Sequence, residues 1–431
     1  MELRKYKLGE IAEITSSKRI FEKEYVEDGI PFIRGQEITD GSITNSSSRF
    51  LCYITPERYE ELKKNYGVPQ KNDILITAVG TIGNTYLVED NKKFYFKDGN
   101  IIWFKNISAD VYPKYLQFFM KSTFFNKQIE YSLIGAVQKA LTIVMLSKIE
   151  IPLPTFQTQQ KIAAVLSALD DKIALNRRMN AKLEQMAKRL YDHWFVQFDF
   201  SNADGKPYKA SGGKMEYNEV LKREIPAGWE VKKLGELFTT NRGVSYSTKT
   251  ITGDIGIPMI NLASFSPDGS YKIDGIKIYT GEYTEEKVLK PFDLVMCNTQ
   301  QTAIDFSKDI IGKALLVPDI FEGDITSSHH VNTLKTQNEK LKFYLYRLFN
   351  TDYFHAYISH YASGTNIMGL DFAGVENYSA VIPSEEILSK FADFTLDIEK
   401  KKSEIIRENK KIIALRDRLL PLLMNGQVEV K

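Results

Sequence analysis

The sequence predicts an α+β chain built as an internal repeat: two similar mixed domains separated by two long antiparallel helices forming a coiled coil, the halves related by a pseudo-two-fold. Three observations predict it. Matches recur collinearly at a near-constant offset. The first part of each half holds short β-branched and aromatic runs broken by turn residues, and its end switches to heptad spacing. The boundaries that follow are a first mixed domain over 1–154, a long helix within 155–198, a connecting segment over 199–229, a second mixed domain over 230–383 and a second long helix within 384–431.

The repeat is read residue by residue. Leu8-Gly9-Glu10-Ile11 returns as Leu234-Gly235-Glu236-Leu237, and Gly29-Ile30-Pro31-Phe32-Ile33 as Gly256-Ile257-Pro258-Met259-Ile260. Ile82-Gly83 beside Leu87-Val88 returns as Ile311-Gly312 beside Leu316-Val317. Pro154 recurs as Pro383, a shift of 229 residues that also carries Gly135, Leu141, Lys161, Asn180, Arg189 and Leu190 onto Gly364, Leu370, Lys390, Asn409, Arg418 and Leu419. One unit has been duplicated.

In the mixed domains, runs such as Ile30–Ile33, Asp73–Thr77 and Ile101–Phe104 have strand composition. The stretches from Tyr112 to Ile129 and from Lys340 to Ile358 repeat apolar residues at three and four, as helices do. After Pro154 the seam runs Ile162, Leu166, Leu169, Ile173, Asn176, Asn180, Leu183, Ala187 and Leu190, the alternation of four and three that a coiled coil requires. After Pro383 it runs Phe391, Phe394, Ile398, Ile405, Asn409, Ile412 and Leu419, weakened by Lys400-Lys401-Lys402. Thr155 and Ser384 are the expected N-caps, and Pro421 followed by Asn425-Gly426 the expected end of the second rod. Asn180 and Asn409 fall on the seams, where a polar residue sets register. The stretch from Ser201 to Trp229 is polar and turn-rich, as a connection between halves is.

Composition narrows the function classes. With 431 residues, two to three domains are expected; 43% hydrophobic and 26% charged residues are ordinary for a folded soluble protein. Lys and Arg number 57 against 55 Asp and Glu, so any polyanion must be met by local patches rather than by net charge. Cys52 and Cys297 stand apart without metal-ligand spacing, and the start of the chain has no signal-peptide core, so a cytoplasmic protein is expected. There is no glycine-rich nucleotide loop and no Asn/Asp-Pro-Pro-aromatic stretch. Glu399-Lys400-Lys401 has the Glu-x-Lys spacing of many nucleases, but on a rod its expected place is a solvated face. His329-His330, read as strand neighbours, would point to opposite faces and make no metal pair. No catalytic group and no metal site is expected.

Three passages carry a family resemblance: Ile149-Glu150-Ile151-Pro152-Leu153-Pro154 followed by Gln159-Gln160-Lys161-Ile162; Leu190-Tyr191-Asp192-His193-Trp194-Phe195 to Phe198-Asp199-Phe200; and Gly205-Lys206-Pro207-Tyr208-Lys209 to Ile225-Pro226-Ala227-Gly228-Trp229-Glu230-Val231. They resemble the central region of the specificity subunit of type I restriction-modification enzymes. That resemblance implies two target-recognition domains, each reading one half of a split sequence in double-stranded DNA, held apart by the helix pair. It also implies a non-catalytic chain that binds no cofactor itself. Two methylation subunits would bring S-adenosylmethionine, and restriction subunits would use ATP and Mg²⁺. A free-standing nuclease or methyltransferase, and a coiled-coil interaction protein without a nucleic-acid role, are the rival readings.

Base edges are read by Arg, Lys, Asn, Gln, Ser and Thr on a rigid frame, so the frame should repeat while the readers differ. Where the first half has Arg34-Gly35-Gln36 the second has Asn261-Leu262-Ala263. Where the first has Thr77 to Gly83, the second has Asn298 to Thr302 and an insertion before Gly312. The candidate DNA-binding residues are Lys18, Arg19, Arg34, Gln36, Thr77, Thr81, Gln138 and Lys139 in the first half, with Gly80 and Gly83 admitting close approach. In the second they are Asn241, Arg242, Asn261, Asn298, Gln300, Gln301 and Asn366. Trp194, Phe195 and Phe198 are read equally as a partner-docking surface or as core at the foot of the helix.

Overall fold

The structure is a computed structural model that describes residues 3–39, 41, 43, 52–133, 140–251, 255–301 and 309–430. The chain divides into two units, Met1–Ala174 together with Lys410–Lys431, and Leu175–Asn409. Each unit therefore holds one mixed domain and a stretch of both rods.

The first domain is built on a four-stranded antiparallel sheet in the order Glu13–Thr15, Ile101–Lys105, Ile74–Thr77, Thr85–Leu87. Beside it lies a three-stranded sheet in which Ile30–Ile33 pairs antiparallel with Cys52–Ile54 and parallel with Tyr95–Phe96. Arg4–Lys7 and Glu150–Leu153 form a third, two-stranded ladder. The second domain repeats all three. Its four-stranded sheet runs Phe238–Arg242, Val331–Thr336, Leu294–Cys297, Ala314–Leu316, and Ile257–Ile260 pairs antiparallel with Lys277–Tyr279 and parallel with Thr326–Ser327. Glu230–Lys233 pairs with Ser379–Ile382. Central strands such as Ile74–Thr77 and Leu294–Cys297 are buried at every position, as apolar runs covered on both faces must be. The second domain adds a sheet in the order Thr299–Gln301, Ile367–Leu370, Ala362–Ser363.

The expected helices of 112–129 and 340–358 are each broken in two. Pro113–Met120 is followed by Thr123–Leu133, and Leu341–Phe349 by Asp352–Ser359. A hydroxyl restarts each second helix: Ser122 Oγ accepts from the Phe125 N–H at 3.2 Å and Thr351 Oγ1 from the Phe354 N–H at 3.3 Å. The cap outweighs the continuous apolar pattern.

The first rod is Phe156–Tyr191, extended by a π-helical turn Asp192–Val196; the second is Glu385–Met424. Their pairing is antiparallel within each unit. In the first, Asp170 meets Arg416, while Ile162 and Leu166 share a core with Leu420, Leu423 and Met424. In the second, Asn176 meets Asn409, Glu184 meets Lys402, and the Tyr191 and Phe391 rings lie 6.2 Å apart. Ile162, Leu166, Ile173, Ala187, Phe391, Ile398 and Ile405 are buried, whereas Leu169, Asn180, Leu183, Leu190, Asn409, Ile412 and Leu419 are partly covered.

Three expectations for the second rod are corrected. Phe394 is exposed, and Thr395, one position on, takes the buried place, restoring steps of four and three through Phe391, Thr395, Ile398 and Lys402. The lysine run does not interrupt the seam, because Lys402 sits on it and is neutralised by Glu184 and Glu399. Pro421 does not end the rod: the helix passes through it to Met424, its last turn held by buried Leu420 and Leu423, and Gly426 at φ +70° follows the end.

The segment 199–229 is also more than a connection. Met215–Asn218 and Arg223–Pro226 form a hairpin, and Phe200 stacks on Tyr208 at 4.6 Å and on Trp229 at 5.0 Å. Widely spaced aromatics among polar residues hide such a core from a composition reading.

Candidate nucleic-acid interface

In the first domain, four of the expected residues line one cleft of about 350 Å³: Arg34, Gln36, Gly80 and Thr81. Arg34 is positioned by Glu37, whose carboxylate accepts from Nη2 at 2.6 Å and from the Arg34 main-chain N–H at 2.9 Å. Gln36 and Thr81 are exposed at the rim, and Gly80 at φ +77° and Gly83 at φ +94° turn the loop in a backbone region that disfavours a side chain. Thr77 plays a different part. It is 1% exposed, and its hydroxyl donates to the Thr81 carbonyl and accepts from the Asn84 N–H, so it shapes the loop from inside. Lys18 and Arg19 are exposed; Arg19 bonds Asp98 at 3.0 Å and the Lys18 ammonium lies over the Tyr66 ring. Gln138 and Lys139 lie outside the described residues.

Lys97 and Asn100 are among the lining residues that sequence reasoning missed. They sit in the turn between the parallel edge strand and the central strand. Only the sheet topology brings that turn beside Arg34; the available signal was a polar Lys-Asp-Gly-Asn stretch between two apolar strands.

In the second domain most of the expected readers make hydrogen bonds within the fold. Asn261, 3% exposed, caps the turn Leu262–Ser264: its Oδ1 accepts from the Ala263 N–H at 2.9 Å and its Nδ2 donates to the Gly275 carbonyl at 2.6 Å. Gln300, 3% exposed, accepts from the main-chain N–H groups of Ile310 and Ile311. Asn298, 8% exposed, donates to Asn332 Oδ1 at 2.7 Å and to the His329 carbonyl. Asn241 is held by the Glu286 carbonyl and Lys287. An amide already bonded within the fold meets a base only by giving those bonds up, so Asn261 and Gln300, buried with their bonds made, fit a framework role, whereas Asn241 is half-buried and the buried Oδ1 of Asn298 is unpaired among the described residues. Arg242 remains exposed, with Nε on the His329 carbonyl at 2.7 Å, and Asn366 is exposed in the turn between Ala362–Ser363 and Ile367–Leu370. Gln301 ends a strand, and its side chain lies outside the described residues.

His329 and His330 occupy a turn rather than a strand, and their rings lie 3.9 Å apart beside Tyr246. The alternation argument therefore does not apply to them. Among the described residues, no three His, Cys, Asp or Glu side chains are grouped for a metal ion, and no helix is long and apolar enough to cross a membrane.

Glu399 is not on a solvated face. It is 7% exposed and pairs with Arg347 at 3.1 Å and Lys402 at 2.9 Å, while Glu184 binds the same two cations. Burial alone would raise the Glu184 carboxyl, but the Arg347 guanidinium and the Lys402 ammonium overcome it and lower it to about 2. This is a structural ion-pair network that fastens Leu341–Phe349 to both rods. Phe195 and Phe198 are buried in the core at the foot of the helix, and Trp194 packs half-buried on that core against Phe391.

The architecture of two topologically equal domains, each with a rod pair, agrees with what known proteins show. Residues 2–185 and again 226–408 match the type I restriction modification DNA specificity domain. The chain is 28% identical over 433 residues to the type I restriction enzyme MjaIX specificity subunit of Methanocaldococcus jannaschii, covering 98% of this chain and 92% of that one. It is 24% identical over 421 residues to the HindI specificity subunit of Haemophilus influenzae, covering 83% and 87%. The crystal structure of the type I restriction-modification S subunit from M. genitalium shares the fold, with a TM-score of 0.56 at 14% identity over 98% of this chain and 96% of that chain. The chain belongs to the family of type I restriction-modification DNA specificity subunits.

Proposed function

We propose that this chain reads a bipartite, asymmetric duplex target, one half-site with each domain, and that the rods set the number of unread base pairs between them. The observation that carries this reading is a repeated frame with unlike rims. The same three ladders recur in both domains, yet the rim has Arg34, Gln36 and Lys97 in one and Arg242, His329 and His330 in the other. Phosphate contacts from exposed Lys and Arg fix register, and the remaining polar groups meet base edges. The chain itself catalyses nothing and binds no cofactor. Two methylation subunits bring S-adenosylmethionine, and restriction subunits, using ATP and Mg²⁺, complete the assembly. It works in the cytoplasm.

The test is single-molecule methylation sequencing of DNA modified by the chain assembled with its methylation subunits. One asymmetric motif with a fixed unread gap is expected, and a contiguous or palindromic motif overturns the reading. Removing one heptad from each rod keeps the seams in phase and shortens each by about 10 Å, or roughly three base-pair rises. The gap should contract by about that number while both half-sites stay the same; an unaltered gap refutes the ruler.

A further inference from the structure

The turn that sequence reasoning missed has a counterpart in the second domain, and the backbone places both in the same way. Lys97 N–H bonds the Ile33 carbonyl at 2.8 Å, and Ser328 N–H bonds the Ile260 carbonyl at 2.8 Å. At the other end, the Asn100 carbonyl accepts from Ala78 N–H at 2.8 Å and the His330 carbonyl from Asn298 N–H at 2.9 Å. The anchoring residues are themselves pinned alike, Ala78 by Leu141 and Asn298 by Leu370. Asn100 and His330 thus hold one topological position, fixed by matching main-chain bonds, and differ in what they present.

What they present is suited to base edges. Among the described residues the Asn100 amide makes no side-chain hydrogen bond, and it lines the cleft with Arg34 and Gln36. An asparagine amide can pair bidentately with adenine N6 and N7 in the major groove. His330 is half-buried, its Nδ1 lies 2.6 Å from the Thr299 hydroxyl, and its ring packs on His329. Burial, with His329 and Arg242 nearby, pulls its imidazole below the usual histidine range, so it is neutral near pH 7. With Nδ1 engaged, Nε2 is the ring nitrogen left for a partner.

We propose that Asn100 and His330 are the same reading position in the two domains, each meeting a base-pair edge of its own half-site. The exchange of an amide for an imidazole there then contributes to the difference between the half-sites. This rests on the proposal that the two domains read separate half-sites.

The test uses the complex assembled with its methylation subunits and duplexes carrying the motif of the unaltered complex, with each base pair of either half-site substituted in turn. His330→Asn should change the preference at one base pair of the second half-site by about tenfold or more, with the first half-site unchanged. Asn100→His should do the mirror image. Melting temperatures check folding, and His330→Gln supplies an amide should His330→Asn fold poorly. Preferences within twofold of the unaltered complex at every pair, or a change in the other domain's half-site, overturn the assignment. Loss of bipartite selectivity in the unaltered complex would instead overturn the reading beneath it.

Discussion

The two places where a domain meets the rods are equivalent in the repeat and solved differently. In the second unit Arg347 reaches from Leu341–Phe349 to Glu184 of one rod and Glu399 of the other, with Lys402 closing the network. In the first unit the same shift of 229 puts Phe118, Ile413, Asp170 and Ile173 at those positions. Asp170 is paired there by Arg416 at 2.9 Å, both about a third exposed, beside an open cleft of about 380 Å³ that Lys121 and Asn84 also line. The difference teaches that the repeat conserves the joint and not its chemistry. A buried cation fastens one domain to its rods, and an apolar contact with a half-exposed ion pair fastens the other.

The sharpest way to break the comparison is to remove one arginine from each joint. Arg347→Met leaves Glu399 buried and Glu184 short of a partner, and an uncompensated buried charge of this kind costs about 3–5 kcal/mol. Arg416→Met removes a half-exposed pair and should cost less than about 1 kcal/mol. Urea unfolding, with hydrogen exchange in Leu341–Phe349 and Pro113–Met120 reporting each unit, measures both; equal losses would erase the distinction. Replacing the whole network with apolar residues, Arg347→Phe with Glu184→Ile, Lys402→Ile and Glu399→Leu, should recover part of the single-variant loss, since an apolar set of similar volume replaces buried ions at little net cost and leaves no carboxylate without a partner.

A smaller effect is expected at the rod feet. Tyr191, Trp194 and Phe195 of the first rod correspond, at the same shift, to Leu420, Leu423 and Met424 of the second, and all but the half-buried Trp194 are buried in their own unit's core. Phe195 meets Tyr344 at 4.9 Å and Phe391 at 4.8 Å, both edge to face. Phe195→Met keeps most of the apolar volume and loses those ring contacts, on the order of 1–2 kcal/mol in the second unit. Thermal unfolding that shows no change would mean that those ring contacts add nothing to the second unit's stability.

The joints also show why sequence reading succeeded where it did. Periodicity is carried by every residue of a rod, so helix, seam and repeat were legible from Ile162 to Leu419. The joints depend on single residues meeting across long separations. Lys402 looked like an interruption, and Glu399 like a solvated residue, because Arg347 and Glu184 lie 55 and 218 residues from Lys402 in sequence. At the candidate interface the same blindness ran both ways. Arg34, Gln36, Gly80 and Thr81 line one cleft, but Asn261 and Gln300 bond main-chain groups and Asn298 bonds the Asn332 side chain. Lys97, Asn100 and His330 reach the rim only through strand pairing that no local pattern records.

The network gives the comparison a pH axis. The Glu184 carboxyl, held down to about 2 in the folded chain against an ordinary 4.5, binds fewer protons folded than unfolded throughout that interval. Its contribution to stability is therefore fully present above about 4.5 and is lost as the pH falls towards 2. Between pH 7 and 5 it should change nothing. The matching position in the first unit is Ile413, which cannot titrate, so acid should weaken Leu341–Phe349 before that residue's own surroundings. Hydrogen exchange at stepped pH, with intrinsic rates divided out, reads this by segment. Removing Arg347 should reduce the extra acid sensitivity along with much of the stability, because only the Lys402 ammonium is then left to lower the carboxyl. Acid sensitivity that is undiminished in Arg347→Met would assign it to other carboxylates of the unit.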